Sequence, residues 1–145
     1  MDKVVLAYSG GLDTSVAIKW IKNKYSMDVI TLTVDIGNVA DLEAIRQKAL
    51  NLGAIKAFVI DAREPFLNSF VFPALKANAI YEGQYPLGTA LGRPLIAKLL
   101  VETAKKENAS RDIPGGTAPQ QVEVALKKAR KLSHIESSQE KKREK

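Results

Sequence analysis

Two apolar patterns alternate along the first 109 residues. Short β-branched and aliphatic runs, typical of buried parallel strands, occur at residues 3–6, 28–35 and 57–61. Segments with apolar residues at helical spacing lie between and after them, at 16–22, 42–50, 66–79 and 94–106. This alternation predicts an α/β fold with a doubly wound parallel sheet. The loops after successive strands then share one carboxyl edge, where a ligand is expected.

Local signals predict several element ends. Asp41 is placed to cap the second helix, and Gly53 to end it. Pro94 fits the first position of the last helix, because proline lacks the N–H that this position leaves unused. Pro73 interrupts the preceding helical pattern, which predicts two short helical pieces or a kink. The stretch 110–113 is polar for a central strand, which argues against a fourth strand there.

Composition narrows the class of protein. A chain of 145 residues fits one domain, and the absence of cysteine excludes disulfides, thiolate metal sites and a catalytic thiol. No apolar run reaches membrane-spanning length, and residues 1–3 lead straight into the first strand instead of a signal peptide. We therefore expect a cytoplasmic protein without a membrane partner.

The net charge of +6 is concentrated near the end of the chain. We expect a divergent loop at 110–119 and a basic amphipathic helix and tail at 120–145, where Val122, Val124, Ala125, Ala129 and Leu132 form the apolar stripe. Glutamates interrupt the basic residues and no aromatic residues accompany them, so a solvated face is expected instead of a nucleic-acid surface. His134 is interpreted as a surface residue. The helix can pack on the domain or on another copy, so a homo-oligomer remains open.

The stretch AYSGGLDTS, residues 7–15, joins the first strand to the first helix. Gly10 and Gly11 permit a sharp turn, and short oxygen-bearing side chains surround the helix N-terminus, where anions bind. A capped tight turn, with Asp13 or Ser9 as the cap, is the alternative. The loop lacks the Walker lysine and the G-x-G-x-x-G spacing. It resembles the pyrophosphate loop of the ATP pyrophosphatases, which implies that Ser9, Ser15 and backbone N–H groups hold pyrophosphate with Mg²⁺.

Four stretches carry a closer resemblance: KVVLAYSGGLDTS, DLEAIRQKALNLGA, VIDARE and FPALKANAIYEGQYPLGTALGRPLIAKLLVE. Together they resemble the N-terminal nucleotide-binding domain of argininosuccinate synthase, over residues 3 to about 109. The resemblance implies an adenine nucleotide alpha hydrolase-like fold, Rossmann-like and of HUP type, with 1–109 as the ATP-binding domain. It also implies the family's ligase reaction in arginine biosynthesis. Citrulline and aspartate are joined, and ATP yields AMP and pyrophosphate.

The resemblance assigns ligand contacts by position. It implies that ATP is contacted by Ala7, Tyr8, Ser9, Gly10, Gly11, Leu12, Asp13, Thr14, Ser15 and Val34. It implies that citrulline is contacted by Tyr85, Thr89 and Ala90, with Arg93 close by to hold a carboxylate or phosphate oxygen. Each has a structural alternative: Val34 is equally a core residue, Tyr85 a packing aromatic, and Arg93 a side chain lying over its helix. No catalytic residue and no metal ligand is assigned.

The family pattern breaks after Ala109. The family's second loop, H-G-x-T-G-K-G-N-D-Q-V, is matched here only by Gly115, Thr117 and Gln121-Val122, with two residues deleted. No large synthetase domain is expected after it, and an aspartate site is not predicted. Two functions stay open: an argininosuccinate synthase-like enzyme that adenylates citrulline, or a non-catalytic module that binds ATP or AMP.

Overall fold

The computed structural model describes residues 2–37, 41–81, 85–86 and 88–113. The elements in chain order are β1 (Lys3–Ala7), α1 (Leu12–Tyr25), β2 (Asp28–Asp35), α2 (Leu42–Asn51), β3 (Lys56–Asp61), α3 (Arg63–Phe66), a π-helical turn (Leu67–Val71), α4 (Phe72–Lys76), β4 (Ile80–Tyr81), β5 (Tyr85–Pro86), α5 (Gly88–Lys106) and β6 (Arg111–Ile113). The predicted helix at 120–145, His134 and most of the predicted loop at 110–119 lie outside the described residues. The division of the chain at 109 and 119 stays a prediction.

The main sheet has four parallel strands in the order β3-β2-β1-β6. The doubly wound parallel sheet predicted from the sequence is confirmed. The chain starts at β1, moves outward through β2 to β3, and then crosses to the other side of β1 to form β6. The strand order therefore reverses between β1 and β6, which is the switch point where such folds bind ligands. A separate antiparallel pair joins β4 and β5.

Each face of the sheet is covered by helices. Alternate residues of β1 and β2 point to opposite faces, since side chains alternate along a strand. Val4, Leu6 and Val29 pack in one cluster with α1, and Ala49 of α2 joins them. Residues of the opposite face pack with α5, and these are Val5, Ala7, Ile30, Leu32, Leu100 and Ala104. The two covered faces explain why both strands are apolar almost throughout.

The interpretation that argued against a fourth strand is wrong. Residues Arg111–Ile113 form β6, which pairs with β1 from Val4 to Leu6. Ile113 is fully buried, with 0% of its surface exposed, and Ser110 donates from its backbone N–H to the Lys3 carbonyl oxygen at 3.0 Å. Parallel pairing depends on backbone groups, so a three-residue strand needs only one apolar side chain in the core to be held in place.

The predicted start of the last helix at Pro94 is also wrong. Helix α5 begins at Gly88, so Pro94 lies inside it and removes one backbone hydrogen bond. Leu91 before the proline and Leu95 after it pack in the same apolar cluster with Phe66. This packing on both sides of Pro94 offsets the free energy lost with that hydrogen bond.

Neither α5, with its 19 residues, nor any other helix in the described part of the chain is long and apolar enough to cross a membrane.

The predicted interruption near Pro73 is confirmed. Helix α3 passes into the π-helical turn Leu67–Val71, and α4 begins at Phe72 with the proline in its first turn. A proline ring clashes with the carbonyl four residues earlier in a regular helix. The wider π turn, placed just before Pro73, relieves that clash.

The predicted ends of α2 are confirmed as well. The Asp41 carboxylate accepts a hydrogen bond from the Ala44 backbone N–H at 2.9 Å and so caps the helix. Gly53, two residues after the helix, has φ +106°, a conformation that side chains with a Cβ rarely adopt. The cap and the glycine fix where α2 begins and where the chain turns toward β3.

Candidate functional site

The loop between β1 and α1 lies at the switch point of the sheet. It leaves the carboxyl end of β1, which has β2 on one side and β6 on the other. The backbone N–H of Tyr8 still donates to the Leu32 carbonyl oxygen of β2, at 2.8 Å. The loop that follows, residues 9–11, therefore begins from a fixed point at the carboxyl edge.

Tyr8 anchors the loop in the core. Only 3% of its surface is exposed. Its carbonyl oxygen accepts a hydrogen bond from the Thr33 hydroxyl at 2.9 Å, and its phenolic oxygen shares one with Ser15 Oγ at 3.0 Å. Ser15 is itself buried. The Tyr8–Ser15 bond joins the end of β1 to the first turn of α1, so both sides of the loop are held together.

Gly10 has a backbone conformation that favours glycine and little space for a side chain. Its φ is +79°, and a Cβ built on it would stand 3.0 Å from Cγ1 of Ile45 on α2. Lys48, one turn later on α2, donates from Nζ to the Gly10 carbonyl oxygen at 2.7 Å. Helix α2 therefore covers the loop with one apolar and one charged side chain.

The N-terminus of α1 carries no side-chain cap. Gly11 is the N-cap residue, and neither Asp13 nor Ser9 forms the cap that the alternative interpretation required. Ser9 Oγ accepts from the Gly11 backbone N–H only at 3.4 Å, and Thr14 Oγ1 donates to the Gly11 carbonyl oxygen at 3.3 Å. The backbone N–H groups of the first turn are thus left to bind an external acceptor, which is the arrangement that favours an anion.

Exposure divides the predicted ATP-contacting residues into two groups. Ser9, Gly11, Leu12 and Asp13 are exposed, and Leu12 reaches 77%. The remaining members, apart from the half-buried Gly10 and Val34, are buried in or beside the core, and these are Ala7, Tyr8, Thr14 and Ser15. The exposed group is the one whose side chains and backbone are open to a ligand, while the buried group shapes the loop.

Val34 lies near the end of β2, opposite Ile60 of β3. It is half-buried and packs against the α5 side of the core. This position supports the structural alternative for its side chain, while its backbone is one residue from the carboxyl edge. Contact with adenine through the backbone stays a prediction.

The start of α5 lies at the same edge of the sheet as the loop, on the opposite face. Gly92 is so close to the segment after β2 that a Cβ on it would stand 3.0 Å from Ile36 Cδ1. The far end of α5 reaches the opposite edge, where Lys3 donates to the Glu107 carbonyl oxygen. Ala90 and Arg93, both exposed, are in the first two turns of α5. Thr89 is in the same turns and Tyr85 is in β5.

An ion cluster lies at the carboxyl ends of β2 and β3. Arg63 pairs with Asp61 through Nη2 and Oδ2 at 2.6 Å and approaches Asp35 Oδ2 with Nε at 3.6 Å. The side-chain and backbone hydrogen bonds from Arg63 lower the pKa of Asp61 to about 2. Asp35 is buried and accepts a further hydrogen bond from the Gly37 N–H at 2.8 Å. The cluster ties the chain segments that follow β2 and β3 to each other.

Sequence interpretation missed Lys48 and Thr33 as neighbours of this edge. The contact from Lys48 to Gly10 spans 38 residues, and no local pattern marks it. Thr33 is an ordinary strand residue by pattern, and only the register of β2 beside β1 brings it to Tyr8. Among the described residues, no group of three or more histidine, cysteine or acidic residues could hold a metal ion.

Sheet order and loop geometry together define the chain as a doubly wound α/β domain with a glycine turn and an uncapped helix N-terminus at its switch point. A family profile described as the arginosuccinate synthase N-terminal HUP domain matches residues 3–135. The chain therefore belongs to the argininosuccinate synthase family, and its fold is that of the family's HUP domain. The profile match extends past Ala109, where the resemblance noted in the sequence ended.

Two argininosuccinate synthases agree with this assignment. The argininosuccinate synthase of Dictyoglomus turgidum is 59% identical over 127 residues, which is 86% of this chain and 32% of that protein. That of Brevibacillus brevis is 58% identical over 108 residues, 74% of this chain and 26% of the relative. The chain thus spans about a third of the length of the curated relatives it matches. An NH3-dependent NAD synthetase from Campylobacter jejuni is a structural neighbour with TM-score 0.49 and 18% identity, covering 74% of this chain and 44% of that one.

Proposed function

We propose that this chain binds ATP through the loop at residues 7–15 and serves as the ATP-binding part of an argininosuccinate synthase. The observation that carries the proposal is the α1 N-terminus at the switch point, which has no side-chain cap and is preceded by the Gly10 turn. A phosphate group supplies the acceptor that the first-turn N–H groups lack. By family, the site acts in the cytoplasm, in arginine biosynthesis.

The residues at the loop suit a phosphate chain with Mg²⁺. Ser9 is exposed and its hydroxyl has only long contacts, so it is free to turn toward a phosphate oxygen. Asp13 is an exposed carboxylate in the first turn of α1. Mg²⁺ in nucleotide sites is bound by one or two carboxylates together with the phosphates. Asp13 is therefore the residue we propose to hold it, and a metal ion bound there would offset the charge that develops on the phosphates.

Citrulline is the proposed second ligand. In the family reaction its ureido oxygen attacks the α-phosphorus, pyrophosphate leaves, and the amine of aspartate later displaces AMP. We propose that Tyr85, Thr89, Ala90 and Arg93 bind citrulline beside the nucleotide. Support comes from the placement of the first turns of α5 at the same edge as the loop. These residues would bind and orient the substrate, and the N–H groups of the loop would stabilise the departing pyrophosphate.

A second candidate function is a non-catalytic module that binds ATP or AMP. The observation that favours it is the sequence at residues 110–121, where most residues of the family's second loop are replaced. Both candidates predict ATP binding, and they differ only in whether bound citrulline is adenylated.

Calorimetric titration separates the two candidates. The purified 145-residue chain is titrated with ATP and Mg²⁺, then with citrulline, and released pyrophosphate is assayed. Citrulline-dependent pyrophosphate supports the synthase-type function, whereas ATP binding without pyrophosphate supports the module. No ATP binding by the chain contradicts both.

Replacing Ser9 with alanine tests the loop itself. Loss of a hydrogen bond to a charged phosphate costs about 1.5–3 kcal/mol, so Ser9→Ala should weaken ATP binding at least about tenfold. Ser69→Ala, at an exposed serine in the π-helical turn, is the matched control and should leave the affinity unchanged. Ser15 is a poorer target, because its replacement would also strip the buried Tyr8 hydroxyl of its partner.

A further inference from the structure

The loop itself contains no cation to meet an anionic ligand. Asp13 is the one charged residue between positions 7 and 15, so the loop carries a formal charge of −1. The Walker loop places a lysine on the phosphates beside its backbone N–H groups. At this loop a protein cation can come only from elsewhere in the fold.

Lys48 brings a positive charge to the loop from α2. Its Nζ donates to the Gly10 carbonyl oxygen at 2.7 Å, and the side chain is exposed. An ammonium group has three donors, so two remain after this bond. Among the described residues no carboxylate forms an ion pair with Lys48. No carboxylate of the described residues therefore neutralises its charge.

The same hydrogen bond fixes the direction of a backbone N–H. The Gly10 carbonyl and the Gly11 N–H belong to one planar peptide group, which is trans. In a trans peptide the two bonds point in opposite directions. Holding the carbonyl toward α2 therefore turns the Gly11 N–H away from α2, toward Ser9 Oγ at 3.4 Å. Ile45, one turn earlier on α2, closes the space beside Gly10 and limits other orientations of this peptide.

We infer that Lys48 is a positioning residue of the nucleotide site: it orients the Gly10–Gly11 peptide so that the Gly11 N–H faces the phosphates, and it supplies the positive charge that the loop lacks. This inference rests on the proposed ATP binding. Lys48 stands in place of the lysine that other phosphate loops carry within the loop itself.

A matched lysine pair tests the inference. Lys22 on α1 also donates from Nζ to the carbonyl oxygen of a glycine with positive φ, Gly53, at 3.3 Å, but this contact lies beyond the C-terminal end of α2. In the 145-residue chain, Lys48→Met should raise the Kd for ATP with Mg²⁺ about tenfold, and Lys22→Met less than about twofold. Lys48→Arg keeps a charged donor and should restore the affinity to within about threefold of the unsubstituted chain.

A second measurement does not depend on nucleotide. In the ¹⁵N-labelled chain without ATP, Lys48→Met should shift the Gly11 amide resonance, whereas Lys22→Met should leave it in place. Thermal unfolding of every variant shows whether it is folded. Equal affinities for Lys48→Met and the unsubstituted chain, or equal losses for both methionine variants, would overturn the inference. Absence of ATP binding by the unsubstituted chain would instead refute the proposed function, and the amide shift would still report on the peptide orientation.

Discussion

At the scale of single residues, Gly10 combines two constraints that can be separated by experiment. Both Gly10 and Gly37 have positive φ, at +79° and +104°, but only at Gly10 would a Cβ meet another side chain, since nothing lies within 4 Å of the Gly37 position among the described residues. The comparison therefore isolates the contact with Ile45 from the backbone strain.

We expect Gly37→Ala to lower the free energy of unfolding by about 1–2 kcal/mol through backbone strain. Gly10→Ala should cost more, because Ile45 must also move away from a Cβ at 3.0 Å. Urea unfolding of the two variants measures the difference. Equal decreases in the free energy of unfolding would show that the contact between Ile45 of α2 and residue 10 adds no cost.

The pair Asp61–Arg63 supplies a prediction about pH. The pKa of Asp61 is about 2, below the usual value, because Arg63 donates hydrogen bonds from its side chain and its backbone. A carboxyl whose pKa is lowered in the folded state stabilises the fold above its unfolded pKa, and this contribution disappears as the pH falls through about 2. A ¹³C carboxyl titration should find the low pKa, and Arg63→Gln should raise it toward about 3.9. A pKa near the usual value in the unsubstituted chain would contradict the pairing.

At the scale of elements, β6 shows how pairing can override composition. A polar three-residue stretch forms a strand because β1 offers an open row of backbone groups and Ile113 enters the core beneath α1. Helix α5 likewise continues through Pro94 because its apolar residues pack on both sides of the proline. Both errors of sequence interpretation have this origin: local preference was outweighed by packing that the sequence pattern does not display.

Truncating Ile113 tests the packing of β6. Ile113→Ala should lower the free energy of unfolding by about 2–5 kcal/mol, as expected for a fully buried isoleucine. Ile55→Ala removes the same atoms from a side chain that is 42% exposed and should cost clearly less. Urea unfolding compares the two. A cost for Ile113→Ala no larger than for Ile55→Ala would mean that β6 does not pack against the core.

At the scale of the whole molecule, the site depends on the reversal of strand order between β1 and β6. Helices α1 and α2 cover one face of the sheet and α5 the other, so the loop after β1 and the first turns of α5 reach the carboxyl edge from opposite faces. Neither face alone forms the crevice in which a ligand would lie. Ligand binding there should therefore stabilise the entire fold.

We expect ATP with Mg²⁺ at a hundred times its Kd to raise the free energy of unfolding by about 2.7 kcal/mol. Adenosine at the same concentration should raise it much less, since it lacks the phosphates that the N-terminus of α1 would bind. Chemical unfolding in the presence of each compound measures the effect. Equal stabilisation by adenosine and ATP would show that the phosphates do not bind in the loop.

The sequence by itself determined the class of fold, the first three strands, the cap of α2 and the position of the loop at residues 7–15. These follow from local patterns: apolar periodicity, the Asp41 cap and adjacent glycines. Only the tertiary structure decided that β6 pairs with β1, that Ser15 is turned to Tyr8, and that Lys48 and Ile45 cover Gly10. Those contacts depend on strand register and helix packing between distant segments, and such geometry has no signature within a short stretch of residues.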